Sequence, residues 1–197
     1  MVTTSQVERA TRYWVEKIVV GENFCPFAKR EVLAGSIAYL VVDNSDVDKQ
    51  IDALITECER LLKTPDIATS LVILAPQLTS DSANNYDVNQ FSDYLLLVEQ
   101  AEWLMQRRGY SGTLQLASFH PDYCFTGETQ ESPANYTNRS PYPILHILRE
   151  ASLDRALKTF SAPEEIPERN IAHANTLGVS YFQQILKSAI ESAQTSD

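Results

Sequence analysis

The sequence has little glycine and no tract that would serve as a flexible linker. Only 6 of its 197 residues are glycine, its 9 prolines are scattered, and no Ser/Gly-rich stretch or long charge run interrupts it. A chain of this length stays below the size at which hydrophobic cores usually divide into separate domains. We therefore expect a single domain over residues 1–197.

Long apolar runs are absent as well. No segment approaches the roughly 20 apolar residues of a membrane-spanning helix, and the N-terminus lacks the basic and apolar regions of a secretion signal. The three cysteines, Cys25, Cys58 and Cys124, are widely spaced and odd in number, which is typical of reduced thiols rather than of a disulfide framework. These features predict a cytoplasmic protein without a membrane partner.

Positive charge is in deficit, with 16 basic residues against 26 acidic ones and a formal net charge of -10. Such a charge repels phosphate backbones and anionic membrane surfaces. Nucleic acid is therefore not expected as a partner.

Short β-rich segments alternate with segments of helical periodicity. The predicted strands span 37–42, 70–75 and 113–119, and the predicted helices span 6–20, 47–62, 91–108, 144–160 and 163–193. Near-continuous apolar strands separated by helices predict an α/β fold, with α+β as the close alternative. We expect a small, partly parallel sheet of about three strands with helices packed on it.

A long polar loop, residues 120–143, follows the third predicted strand and carries four of the nine prolines. A loop of this length inside a compact domain is usually a binding or catalytic element. His120 opens the loop at the end of the strand, the edge where open α/β sheets commonly place ligands, and is the general acid-base candidate, with Tyr123 beside it. The alternative is an imidazole that bonds only to backbone.

Phe24-Cys25-Pro26-Phe27 places a thiol at the predicted start of a short helix, where free N–H groups favour a thiolate. Cys25 is therefore a candidate nucleophile or redox group, and the alternative is a small buried apolar side chain. The Cys-Pro-aromatic start resembles glutaredoxin-like redox sites. Because the second cysteine of those sites is replaced by Ala28, a dithiol mechanism is excluded and only a monothiol mechanism stays open.

Two further clusters are candidate binding sites. Asn138, Arg139 and Ser140 precede a predicted helix whose N-terminus could accept a carboxylate or phosphate, although Ser140 could simply cap that helix. Within the same predicted helix, His146, a further catalytic candidate, lies three and four residues before the binding candidates Arg149 and Glu150, so that these side chains are expected to meet. No metal site is predicted, because a zinc ion would need a third ligand from His120 or Cys25 and the familiar spacings are missing.

Characteristic motifs occur across nearly the whole chain, at Trp14, 21–28, 117–121, Tyr123, Phe125, Asn135, 137–143, Leu145, His146, 148–150 and 168–170. In these residues the chain resembles a bacterial protein family known only as a domain of unknown function, number 1415. The resemblance adds Asn135 to the binding candidates and implies no reaction. Two positions depart from the family pattern, namely Glu22, usually apolar, and 129–131, where an acidic pair is expected.

Two functions compete on this evidence. The first is a small-molecule enzyme or ligand-binding protein with a pocket that accepts an anionic group, which requires Cys25, His120, Arg139 and His146 to converge. The second is a non-catalytic interaction or assembly module, which predicts that Tyr136 and Tyr142 are exposed and that His120 is bonded only to backbone. The sequence indicates no cofactor, reaction type or oligomeric state.

Overall fold

Four strands form one mixed sheet in the computed structural model, which describes residues 2–75, 86–158 and 162–195. The strands are β1 (Ile37–Val42), β2 (Thr69–Leu74), β3 (Leu114–Phe119) and β4 (Ile144–Arg149), in the order β1-β2-β4-β3. Strand β1 pairs with β2 in parallel, whereas β4 is antiparallel to both of its neighbours. The predicted α/β class and partly parallel sheet are confirmed, with one strand more than expected.

Helices precede, separate and follow the strands, and helices are found close to the predicted ranges 6–20, 47–62 and 91–108. Thr3 begins the first helix with a capping box, since its hydroxyl accepts from the amide of Gln6 and the side chain of Gln6 accepts from the amide of Thr3. No helix among the described residues is long and apolar enough to cross a membrane. The helices are α1 (Thr4–Trp14), α2 (Ala28–Ala34), α3 (Val47–Lys63), α4 (Phe91–Arg107), α5 (Glu150–Leu157), α6 (Ile166–Leu177) and α7 (Val179–Gln194).

Helices cover both faces of the sheet, because side chains alternate between the faces along each strand. Val72 and Leu145 belong to the apolar cluster that α3 and α4 complete. Leu71 and Ile144, one position earlier in each strand, belong to the second cluster, which α1, α6 and α7 complete. Strand β2 is buried along its whole length, which explains its uninterrupted apolar sequence.

Strand β4 corrects the prediction of a helix over 144–160. Residues Ile144–Arg149 are extended between β2 and β3, and α5 begins directly afterwards with Arg149 as its N-cap. The pattern Ile-Leu-His-Ile-Leu fits either structure by periodicity, and the hydrogen-bonding partners on both sides decide for the strand. The predicted helix over 163–193 is also divided, because Gly178 ends α6 with a φ of 77°. Position 160 lies outside the described residues.

A π-helical segment, Val15–Val20, continues α1 and leads the chain into the Cys25 turn. The amide of Gly21 donates to the carbonyl of Glu16, five residues earlier, at 3.0 Å. A Cβ atom at Gly21 would overlap the carbonyl oxygen of Lys17. Glycine at position 21 is therefore required by this close approach and not by an unusual φ.

Candidate functional site

A cavity of about 420 Å³ lies between the sheet and the helices on the α1 side. Most of its surface is apolar, and the polar and charged residues that line it include Cys25, Glu31, Thr69, His146 and Arg149. Its floor is the face of the sheet that carries Ile37, Thr69, Leu71, Ala117, Phe119, His146 and Leu148. Its walls come from Trp14, Val15 and Val19, from the turn 24–28 and Glu31, and from parts of α5 and α6.

The turn that carries Cys25 is fixed by hydrogen bonds at its backbone. The amide of Cys25 donates to the carbonyl of Val19 at 3.2 Å, and the carbonyl of Cys25 accepts from Ala28 at 3.2 Å. The side-chain amide of Asn170, on α6, donates to the carbonyl of Phe24 at 2.7 Å. These bonds hold the thiol at the cavity wall.

The Cys25 thiol is less acidic than the sequence predicts. Burial raises its pKa above the ordinary value, and the backbone N–H groups of Phe27 and Ala28 lower it by a smaller amount. Helix α2 begins only at Ala28, so the thiol lies before the helix and is half-buried. Near neutral pH the protonated thiol is therefore favoured over the thiolate.

His146 lies in the middle of β4 and lines the same cavity as Cys25. Its register partners are Leu71 on β2 and Ala117 on β3. Its Nε2 is 2.6 Å from the hydroxyl oxygen of Thr69. Burial lowers the pKa of His146 to about 4, so the ring is neutral near pH 7. No hydrogen bond joins the thiol and the imidazole within the described part of the chain.

His120 lies at the end of β3, as predicted, and its ring is completely buried outside the cavity lining. Its Nε2 is 3.1 Å from the carbonyl of Val88, and its Nδ1 accepts from the amide of Asp122 at 3.0 Å. Desolvation lowers the pKa of His120. The ring is therefore a neutral imidazole that donates from Nε2 and holds two loop segments together.

Asn135 and Ser140 also bond to backbone. The side-chain oxygen of Asn135 accepts from the amide of Phe125 at 3.0 Å, and its Nδ2 donates to the carbonyl of Thr129 at 2.8 Å. Ser140 donates to the carbonyl of Tyr142 at 2.5 Å. Both side chains are fully buried, so they stabilise the loop from inside.

The side chains of Asn138 and Arg139 also donate hydrogen bonds to backbone carbonyls. Asn138 donates to the carbonyl of Ser118 at 3.1 Å, and Arg139 donates from Nε to the carbonyl of Tyr123 at 3.0 Å. Arg139 also donates to the carbonyl and side-chain oxygens of Gln130, at 2.8 and 2.9 Å. Gln130 lies at the second position where the chain departs from the family pattern, and it accepts hydrogen bonds that hold the Arg139 side chain in place. Neither Arg139 nor Tyr123 lines the cavity.

Arg149 and Glu150 do not meet His146, because residues 144–149 form a strand and not a helix. Arg149 donates to the carbonyls of Ile67 at 3.1 Å and Thr64 at 3.0 Å, and to that of Leu61, at the end of α3. The carboxylate of Glu150 accepts from the amide of Gly112 at 3.1 Å. Part of Arg149 also lines the cavity.

Glu22, the other departure from the family pattern, joins the Cys25 turn to the last two helices. Its carboxylate is 2.8 Å from Nε2 of His173 on α6 and accepts a hydrogen bond from the hydroxyl of Tyr181 on α7. This hydrogen bond is the main cause that raises the pKa of Tyr181 to about 12.

The structure thus brings two of the predicted site residues, Cys25 and His146, to one cavity, together with part of Arg149. The expected convergence of Cys25, His120, Arg139 and His146 is not found, because His120 and Arg139 do not line this cavity. The same is true of Tyr123, Asn135, Asn138, Ser140 and Glu150. Sequence reasoning missed Thr69, which lies 77 residues from His146 and carries no motif. Within the described residues no three His, Cys, Asp or Glu side chains are grouped as metal ligands.

Comparison with curated proteins and with solved structures found no match. Residues 6–184 match the model of a family described as a protein of unknown function, DUF1415. The match covers most of the chain and confirms the resemblance, but the family brings no activity with it. The chain therefore belongs to the DUF1415 family of proteins of unknown function.

Proposed function

We propose that this protein binds a small, mainly apolar molecule in the cavity above the sheet, either as an enzyme or as a binding protein. The cavity itself carries the proposal. Its volume of about 420 Å³ lies in the range of about 300–1,000 Å³ that is common for ligand sites. An apolar wall with a few fixed polar groups is also the usual composition of such sites.

The polar groups at the wall are held in place before any ligand arrives. His146 is fixed by its strand and by the Thr69 hydroxyl, and the backbone bonds of its turn hold Cys25. Fixed polar groups orient a ligand at low cost in side-chain entropy. This arrangement supports either a binding site or a reaction site at the same place.

The proposed site differs from the anion site that the sequence indicates. Asn138, Arg139 and Ser140 are bonded to the polar loop itself, so an anion would have to replace those bonds. The cavity needs no such rearrangement. The proposal therefore places the ligand on the sheet and not on the loop.

The assembly alternative has less support. It requires Tyr136 and Tyr142 on the surface, but their exposed fractions are only 2% and 7%. Its other expectation is met, because the hydrogen bonds of the His120 ring go only to backbone groups. The monothiol redox alternative also weakens, because burial raises the pKa of Cys25 and disfavours the reactive thiolate.

A cavity-filling variant tests the proposal. Ala117 faces the cavity in register with His146, so Ala117→Leu places additional carbon atoms in the space where the ligand would lie. Ala172→Leu makes the same change on an exposed position of α6 that does not line the cavity. Isothermal titration with indole, a compact apolar probe, should show binding to the native protein and to Ala172→Leu. Ala117→Leu should bind indole at least about tenfold more weakly.

Equal indole affinity in Ala117→Leu and in the native protein would show that the probe binds elsewhere and would reject the cavity as the site. Native mass spectrometry of the protein purified from cells then identifies the natural ligand. A retained small molecule should be present on Ala172→Leu and missing from Ala117→Leu.

A further inference from the structure

The hydrogen bonds of Thr69 determine which nitrogen of His146 carries the proton. The Thr69 hydroxyl oxygen is 2.6 Å from the carbonyl oxygen of Ile147 and 2.6 Å from Nε2 of His146. A carbonyl can only accept, and a hydroxyl has a single proton, so the hydroxyl donates to Ile147. The contact with Nε2 is then a hydrogen bond only if His146 donates it. The ring is therefore the tautomer with its proton on Nε2.

This assignment leaves Nδ1 with a lone pair. Nδ1 has no hydrogen-bond partner among the described residues, and it is not enclosed by protein atoms. His146 lines the cavity, so the accessible part of the ring faces that space. An accessible imidazole nitrogen with a lone pair and no protein partner can accept a hydrogen bond from a group in the cavity.

The surroundings restrict the chemistry of that group. The ring is neutral near pH 7, because burial lowers its pKa, and the wall around it is mostly apolar. A carboxylate or phosphate oxygen would be repelled by the lone pair of Nδ1, and a cation would lose its hydration without a compensating charge from this ring. A neutral donor avoids both costs.

We infer that the ligand of this cavity is a mostly apolar molecule with a neutral hydroxyl or N–H group that donates a hydrogen bond to Nδ1 of His146. This inference rests on the proposed function and names the chemical class of its ligand. It differs from the anionic ligand that the polar loop indicates in the sequence.

Indole and benzofuran test the inference because they have nearly the same shape, while only indole carries an N–H donor. Titration of the native protein should give indole an affinity about tenfold higher than benzofuran, as expected for one well-placed hydrogen bond in an apolar site. His146→Leu removes the acceptor, so this variant should bind indole no more tightly than benzofuran. His146→Asn keeps an oxygen near the position of Nδ1 and should restore part of the preference for indole.

A spectroscopic measurement needs no variant. The ¹⁵N resonances of the His146 ring should show a protonated Nε2 and an unprotonated Nδ1, and the Nδ1 resonance should shift with indole but not with benzofuran. Equal affinities for the two probes, both lost in Ala117→Leu, would overturn the inference and leave the cavity as a binding site. Failure of both probes to bind, or binding that Ala117→Leu leaves unchanged, would reject the proposed function and the inference together.

Discussion

Replacing His146 by leucine should make the fold less sensitive to acid. The pKa of His146 is about 4 in the folded protein, compared with an ordinary value of 6.5. In the unfolded chain the His146 ring therefore takes up a proton near pH 6.5, whereas in the folded chain it does so only near pH 4. The stability that this difference provides is complete above pH 6.5 and is lost as the pH falls from 6.5 to about 4. At the end of that window the loss amounts to about 3 kcal/mol.

Urea unfolding at about pH 7 and about pH 4.5 measures this loss. Other groups, including His120, also destabilise the protein in acid, and their contribution cancels when the native protein is compared with His146→Leu. The variant should lose about 2.5 kcal/mol less between the two pH values than the native protein does. Leu148→Ala is the matched control, because it alters the same cavity wall without removing a titrating group. An equal loss in His146→Leu and in the native protein would refute the assignment of a buried, neutral imidazole.

Three further predictions concern the other site candidates. Arg149→Leu should lower the free energy of unfolding by about 3 kcal/mol, because the carbonyls at the end of α3 lose their charged donor; urea unfolding measures this. Asn135→Ala should cost about 2 kcal/mol and speed hydrogen exchange at the amide of Phe125, which loses its acceptor. Iodoacetamide should alkylate Cys25 near pH 8 more slowly than an unhindered cysteine, because burial raises the thiol pKa, and Ala117→Leu should slow it further.

The two stability predictions have matched control variants, and each of the three predictions has a result that would contradict it. Arg30→Leu and Asn89→Ala change exposed residues of the same types, and we expect each to alter stability by less than about 0.5 kcal/mol. If Arg149→Leu or Asn135→Ala lowered the free energy of unfolding as little as the control variants do, the hydrogen bonds of Arg149 or Asn135 would not stabilise the fold as proposed. Alkylation of Cys25 at the rate of an unhindered thiol would contradict its burial.

Much of the fold could be predicted from local pattern. Strand β1 was predicted at its exact bounds, because a β-rich run ends at Asp43-Asn44, and α3 and α4 follow clear apolar stripes. Strand β4 was predicted wrongly, because its pattern suits a helix equally well and only the neighbouring strands decide. Such pairing partners are distant in sequence and leave no local signal.

The candidate site was predictable only in part. Position at a strand end placed His120 correctly, but the sequence does not show that backbone groups occupy both ring nitrogens. The polar residues after β3 form the long loop that the sequence predicts, but side chains such as Asn135 and Arg139 bond to the backbone of that loop. The sequence indicates His146 as a site residue only through helical contacts with Arg149 and Glu150, and these contacts are not made because the segment is a strand. Its true partner, Thr69, lies on another strand.

The π-helical segment before the Cys25 turn sets where that turn lies around the helix axis. Each residue of an α-helix advances the chain by about 100° around the axis, and a π-turn accommodates one residue more than an α-turn in the same rotation. Deleting one residue between Val15 and Val20 would therefore allow ordinary α-helical bonding there and leave the Cys25 turn in its place. If the full-length segment instead became α-helical, the following turn would be rotated by about 100°, which would carry the thiol away from the wall it shares with the imidazole. The one additional residue in the π-helical segment thus keeps the two candidate groups at one cavity.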